Sequence, residues 1–160
     1  MDETNETMID NISIFFDDIC SKNDKIINED LSFHNFKTRL YDPIRTITFY
    51  NLIRRIHYRN SDDVAVLITA TFNIIRLVKK NKKLIVNYKN IKKIFVTSYT
   101  LSLKFLDDHI VKNSMVAKYG YILWDELNLL EMIFLKKIDY DMFVSVDEYN
   151  KMLFILTNLE

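Results

Sequence analysis

One glycine, one proline and one cysteine in 160 residues leave this chain few ways to make tight turns and none to close a disulfide within itself. Sheets joined by hairpins draw on Gly and Pro at their turns, so a chain this poor in both is expected to be helical. Cys20 has no second cysteine to pair with, which removes the usual mark of an oxidising, secreted setting. Net charge is missing too: 22 Lys and Arg balance 22 Asp and Glu, so no whole-molecule attraction to nucleic acid or to an anionic membrane is expected. No apolar run nears the roughly 18 residues that suggest a membrane span. The opening Met1-Asp2-Glu3-Thr4-Asn5-Glu6 is acidic where a signal or transit peptide is basic. Together these absences predict a cytoplasmic or nuclear protein.

The residues of common catalytic and metal sites are scarce as well. His34, His57 and His109 lie far apart, share no ligand spacing with Cys20 and are expected to sit at the surface or in packing. Gly120 alone cannot build a phosphate-cradling loop, and Ser98 lacks the flanking glycines of a nucleophile elbow. No catalytic residue, cofactor site, metal site or small-molecule substrate is therefore predicted, and the chain is not expected to be an enzyme.

What is present is apolar residues, 49% of the chain, at helical spacing. Residues 1–32 read as an acidic arm or short helix: Asp2, Glu3, Glu6, Asp10, Asp17, Asp18, Asp24, Glu29 and Asp30 stand against Lys22 and Lys25. Met8, Ile12, Phe15, Phe16 and Ile19 still recur there at steps of three and four, which favours a docked helix over disorder. Residues 33–160 read as the main domain. Pro43 is placed to open a first helix through Ile47, Tyr50, Ile53 and Ile56. Ser61 is the expected cap of a second, through Leu67, Ala70, Ile74 and Leu77 to Lys79 and Lys80. Asn87 is the expected cap of a third, apolar or small on nearly every side from Ile91 to Leu106 and therefore central. Ser98 and Ser102, four apart, would let a neighbouring helix come close. A fourth helix is predicted over Trp124 to Ile138, with acids in its first turn and lysines in its last. Ser145 with Glu148 forms the capping box of a fifth.

Two charged features remain. The run Arg76, Lys79, Lys80, Lys82, Lys83, Lys89, Lys92 and Lys93, with Tyr88 and Phe95 beside it, could contact nucleic acid but is read as a solvated loop and two helix ends. Lys104-Phe105-Leu106-Asp107-Asp108 closes the apolar helix with two acids, where the helix dipole favours bases.

The second feature belongs to a set of four segments that resemble the cyclins, and most closely the Pho-type or P/U-type cyclins. Phe33-His34 ahead of Pro43 resembles that family's opening element, and Ile47-Thr48-Phe49-Tyr50-Asn51-Leu52-Ile53-Arg54-Arg55-Ile56 is similar to its Ile-Ser-Ile-x-Asp-Tyr-Leu-x-Arg-Ile helix. Leu103 to Asp108 is the third segment. The fourth, Asn113 to Ile122 followed by Glu126 to Leu135, resembles Asn-x-x-Tyr-Ala-Lys-Val-Gly-Gly and Glu-Leu-Asn-x-Leu-Glu-x-x-Phe-Leu. Departures are Phe49, Leu52, Val116, Tyr119 and Tyr121, the last standing where the family has a glycine.

The resemblance implies an all-α cyclin box, five helices around a buried central one, with the N-terminal helix or arm added. It implies a regulatory subunit that binds and activates a cyclin-dependent protein kinase as a heterodimer by holding the kinase C-helix in its active position. Lys104 and Glu131 would form the pair facing the kinase, with Phe105, Leu135, Tyr140 and Met142 in the apolar part of the contact. A cyclin-fold adaptor for a non-kinase partner, such as a transcription factor, is the alternative expectation.

Overall fold

The computed structural model describes residues 2–26 and 31–159, which form seven α-helices and two short 3₁₀ helices, with no strand among them. Of the acidic segment, Glu29 and Asp30 lie outside the described residues.

The first helix, α1 (Glu3–Asn23), is longer than the short helix expected. Asp2 caps it by accepting from the Asn5 backbone N–H at 2.9 Å, and Glu3 and Glu6 sit in the first turn where the dipole favours them. Met8, Ile9, Ile12, Phe16 and Cys20 make one buried stripe, while Asp10, Asp17 and Asp18 face solvent. Phe16 meets Phe49 edge to face, ring centres 5.9 Å apart, and Phe95 at 6.4 Å. Burying that one side chain contributes roughly 2–3 kcal/mol. The acidic segment is thus docked on the common core.

Pro43 opens a 3₁₀ helix that ends at Thr46 instead of the predicted α-helix. Ile47 and Thr48 are extended, and Thr48 caps α2 (Phe49–Asn60) through a bond from the Asn51 N–H. Helix α3 (Val64–Lys80) is capped by Asp63, which accepts from Ala65; the expected cap, Ser61, instead accepts from the Asp63 N–H and shapes the turn before it. Asn87 likewise shapes a turn, accepting from Lys89, and α4 (Ile91–Leu106) starts after Asn90. Before α3 several cap-forming residues stand in a row and turn geometry decides which of them meets the helix; before α4, Asn90 holds the cap position but turns its side chain back to the Asn87 N–H and the Ile85 carbonyl.

Helix α4 is the predicted central rod, buried from Lys93 to Leu103. Its closest neighbour is α3, and the small Ser98 does more than allow approach: its hydroxyl donates to the Ala70 carbonyl of α3 at 2.7 Å. Thr97 and Thr100 return their buried hydroxyls to carbonyls four residues back, so these polar groups of the central helix are satisfied. A short helix that the sequence reading did not mark, α5 (Asn113–Tyr119), bridges α2 and α6 (Trp124–Lys137). The capping box of Ser145 and Glu148 opens α7 (Val146–Thr157) as predicted. The five predicted helices are α2, α3, α4, α6 and α7. Gly120 caps the end of α5 with its N–H on the Val116 carbonyl, and the close approach of α4 there favours glycine, since a Cβ would lie 3.0 Å from Val96 Cγ1.

Candidate functional site

Lys104 and Glu131 meet where the last turn of α4 passes the middle of α6. The Lys104 ammonium donates to both carboxylate oxygens, at 2.9 and 3.1 Å, and its charge suits the negative end of α4. The lysine side chain is 34% exposed and the glutamate 11%, so the pair lies at the rim of the core, not inside it. An ammonium has three N–H groups, and a carboxylate accepts from more than one donor, so the pair keeps bonding capacity for an outside group.

Apolar side chains stand open close by in the chain. Phe105 and Leu106 follow Lys104, Met132 follows Glu131, and the α6–α7 connection exposes Tyr140 (64%) and Phe143 (66%). Leu135 is half-buried and Met142 is buried in the core. Of the six residues singled out in the sequence, Lys104, Phe105 and Tyr140 therefore offer open surface, while Leu135, Met142 and Glu131 are mostly covered. Met132 and Phe143 are exposed apolar residues that the sequence reading did not select.

The connection presenting Tyr140 is strained and clamped. Asp139 and Tyr140 both take left-handed conformations, φ 55° and 58°, which cost residues with side chains about 1–2 kcal/mol each. The Tyr140 N–H donates back to the Leu135 carbonyl at 2.8 Å, closing the end of α6. The end of α3 supplies the rest. Lys80 donates to the Ile138 carbonyl at 3.0 Å and Asn81 to Lys137 at 2.9 Å. The buried Arg76 guanidinium donates to the carbonyls of Asp141 (2.6 Å) and Phe143 (2.5 Å) and to Asn73 Oδ1 (2.9 Å). Charge-assisted bonds contribute about 1.5–3 kcal/mol each, enough to hold both strained residues.

Arg76 corrects the reading of the basic run as solvated. Arg76 and Lys93 are buried, Lys80 holds the α6–α7 connection, and Lys92 donates to the carbonyls of Ile44 and Arg45. Lys79, Lys82, Lys83 and Lys89 remain exposed. The sequence did carry a signal: Arg76 lies three residues after Asn73, one turn away on the same side of the helix, and bonds to it.

A second lysine cluster is closed. Lys93 Nζ donates to Asp42 at 2.8 Å and lies 2.6 Å from Glu126 Oε1, joining α4 to the start of α6 and to the residue before Pro43. Burial pushes the Asp42 carboxyl up, and the bonds from Lys93 and from the Arg39 N–H more than offset it, leaving it below its usual range. His57 is closed in the same way, with Nδ1 2.8 Å from the Tyr99 hydroxyl and Nε2 2.7 Å from Asn5 Oδ1. This ties α1, α2 and α4 together, and burial pushes the imidazole down to about 4. Packing was one role expected for His57, but its partners, far apart in sequence, were not foreseeable.

A cyclin family model matches residues 16–142, from the middle of α1 to Met142. The chain belongs to the cyclin family. It is 32% identical over 105 residues to Cyclin-U4-3 of Arabidopsis thaliana, covering 66% of this chain and 48% of that one. To Cyclin-U4-2 of the same plant it is 35% identical over 83 residues, 52% of this chain and 38% of that one. To PHO85 cyclin-7 of Saccharomyces cerevisiae it is 44% identical over 62 residues, 39% of this chain and 22% of that one. The chain spans about half or less of the length of these relatives. Among cyclins it sides with the P/U type, as its motifs suggested. The departure at Tyr121 has a structural answer: the residue adopts the positive φ, 55°, that suits a glycine, and its ring lies 4.8 Å from the Arg55 guanidinium carbon.

Proposed function

We propose that this cyclin binds and activates a cyclin-dependent protein kinase, with Lys104 and Glu131 at the centre of the contact. The observation that carries the reading is a rim-exposed ion pair at the end of the buried helix, with exposed Phe105, Met132, Tyr140 and Phe143 on the flanking segments. Apolar anchors with hydrogen-bonding groups held ready among them are the usual make-up of an interface hot spot. The yeast relative named for PHO85 supports a partner of this kind by analogy.

In the proposed mechanism the chain supplies binding energy alone. An inactive kinase holds its C-helix outward; a surface that fits the inward position shifts that equilibrium by the difference in affinity for the two states. The inward helix completes the kinase's own Lys–Glu pair, which orients ATP phosphates, so the catalytic and metal-binding groups belong to the partner. The clamp of Arg76, Lys80 and Asn81 keeps Tyr140 in place before binding and so lowers the ordering cost. The proposed site of action is the cytoplasm, the nucleus or both.

The test is affinity recovery of kinases from the source cells by the wild type, Lys104→Glu and Glu131→Ala. Wild type is expected to recover a protein kinase together with its activity. Each variant should lose at least about 2 kcal/mol of binding, some thirtyfold. Equal recovery by all three would overturn the assigned surface. Recovery of a transcription factor without kinase activity would favour the adaptor reading.

A further inference from the structure

A groove of ≈ 530 Å³ runs along the outer side of α2 to the end of α5, and it shares no lining residue with the Lys104–Glu131 pair. Its charges do not balance. Arg54 is neutralised by Glu6 of α1, its Nε 3.1 Å from the carboxylate, and stacks at 4.6 Å on Tyr58. Arg55, Arg59 and Lys118 gather around one ring instead, their charged groups 5.3, 5.2 and 5.6 Å from the centre of Tyr119. Among the described residues none of these three has a carboxylate within 4.0 Å. The Arg55 Nε–H is buried and has no acceptor. Cations brought together without counter-charge repel one another, and π-faces return only about 0.5–2 kcal/mol each. An unmade buried bond adds a further cost. Tyr121 takes its strained left-handed conformation at this same place, with its ring against Arg55.

We propose that this groove binds an anionic side chain of a partner peptide, a carboxylate or a phosphoserine or phosphothreonine, through Arg55 and Arg59 of its lining, with Lys118, on the same Tyr119 ring, adding positive charge from beside it. Guanidinium forks match the paired oxygens of both anions, and the tyrosine rings fix the forks in place. The volume suits a few peptide side chains. A nucleic acid fits less well. A phosphate chain leaving the groove past Arg59 would meet the exposed Asp62 and Asp63, and past Arg54 it would meet Glu6 and the acidic outer face of α1. A single anionic side chain avoids both.

The experiment is an NMR titration of the isotope-labelled chain with short Gly-Ala peptides carrying central glutamates, phosphoserines or unmodified serines, and with oligouridylate. Glutamate or phosphoserine peptides are expected to shift the amides of Arg55, Arg59, Lys118, Tyr119 and Tyr121, and the serine peptide to leave them unmoved. The two anionic peptides together report whether carboxylate or phosphate is preferred. Arg59→Ala with Lys118→Ala, both exposed, should weaken the binding about tenfold, while Lys82→Ala with Lys83→Ala should leave it unchanged. The proposal is overturned if the anionic peptides produce no shifts at these residues, if the serine peptide shifts them equally, or if oligouridylate binds more tightly than either anionic peptide. The result is independent of kinase recovery, because no residue is shared with that site.

Discussion

Helix α4 carries a lysine near each end that pairs with a glutamate of α6, and the two pairs differ in what surrounds them. Lys93, in the first turn, is 3% exposed, held by both Asp42 and Glu126, and closes the seam between α4, α6 and the residue before Pro43. Lys104, in the last turn, meets only Glu131 among the described residues and stays a third open, with exposed apolar side chains on the segments around it. A lysine sealed by two carboxylates has its bonding capacity used within the fold. One that faces a single carboxylate at the rim keeps some for a partner. The same two residue types thus do different work according to burial.

The largest expected effect tests the closed pair. Lys93→Ala leaves Asp42 and Glu126 facing each other without their cation, and unfolding free energy should fall by roughly 3 kcal/mol. Urea denaturation followed by helix ellipticity measures it. A loss as small as that of a surface charge would erase the distinction between the two lysines.

His57 provides the next test, because it too is a closed polar group. Its folded value near 4 lies below the usual 6.5, so between those values the unfolded chain binds a proton that the folded chain refuses. Stability should therefore be full above pH 6.5 and decline as pH falls toward 4, by up to about 3 kcal/mol. Glu6, held below its usual 4.5 by the Tyr58 hydroxyl bond against burial and with help from Tyr50 and Arg54, loses its contribution only below that value. The decline between pH 6.5 and 5 thus belongs to His57, and His57→Gln should flatten it in urea titrations at stepped pH.

The smallest effect on folding sharpens the open pair. Lys104→Ala should lower stability less than Lys93→Ala does, by about 1–2 kcal/mol, since the lysine is a third open although Glu131, 11% exposed, loses its cation. The same variant is expected to lose kinase recovery. A large loss of stability would mean that Lys104 acts in the fold, like Lys93, and a binding defect could then no longer be read as a lost contact.

Much of the fold was legible in the chain because it rests on local rules. The apolar face of α1, the all-round apolar α4, the capping box of Ser145 and the dipole-matched ends of α6 each depend on residues a turn apart. The errors fell where several residues of one type compete: Ser61, Asp62 and Asp63 before α3, and Asn87 and Asn90 before α4. Helix α5 escaped because Asn113 to Tyr119 is too short for its spacing to stand out. For the candidate site, motif resemblance found Lys104 and Glu131, but it could not tell that Met142 is buried and Phe143 open.

By itself, then, the sequence determined the helical class, the central helix and the cyclin resemblance, because spacing, caps and motifs act over a few residues. Only the tertiary structure decided which cations are sealed, as Arg76 and Lys93 are, and which stay open, as Lys104, Arg59 and Lys118 do. The reason is physical: burial is a property of what other segments pack against a side chain, and for Lys93 those segments begin 51 residues before it and 33 after.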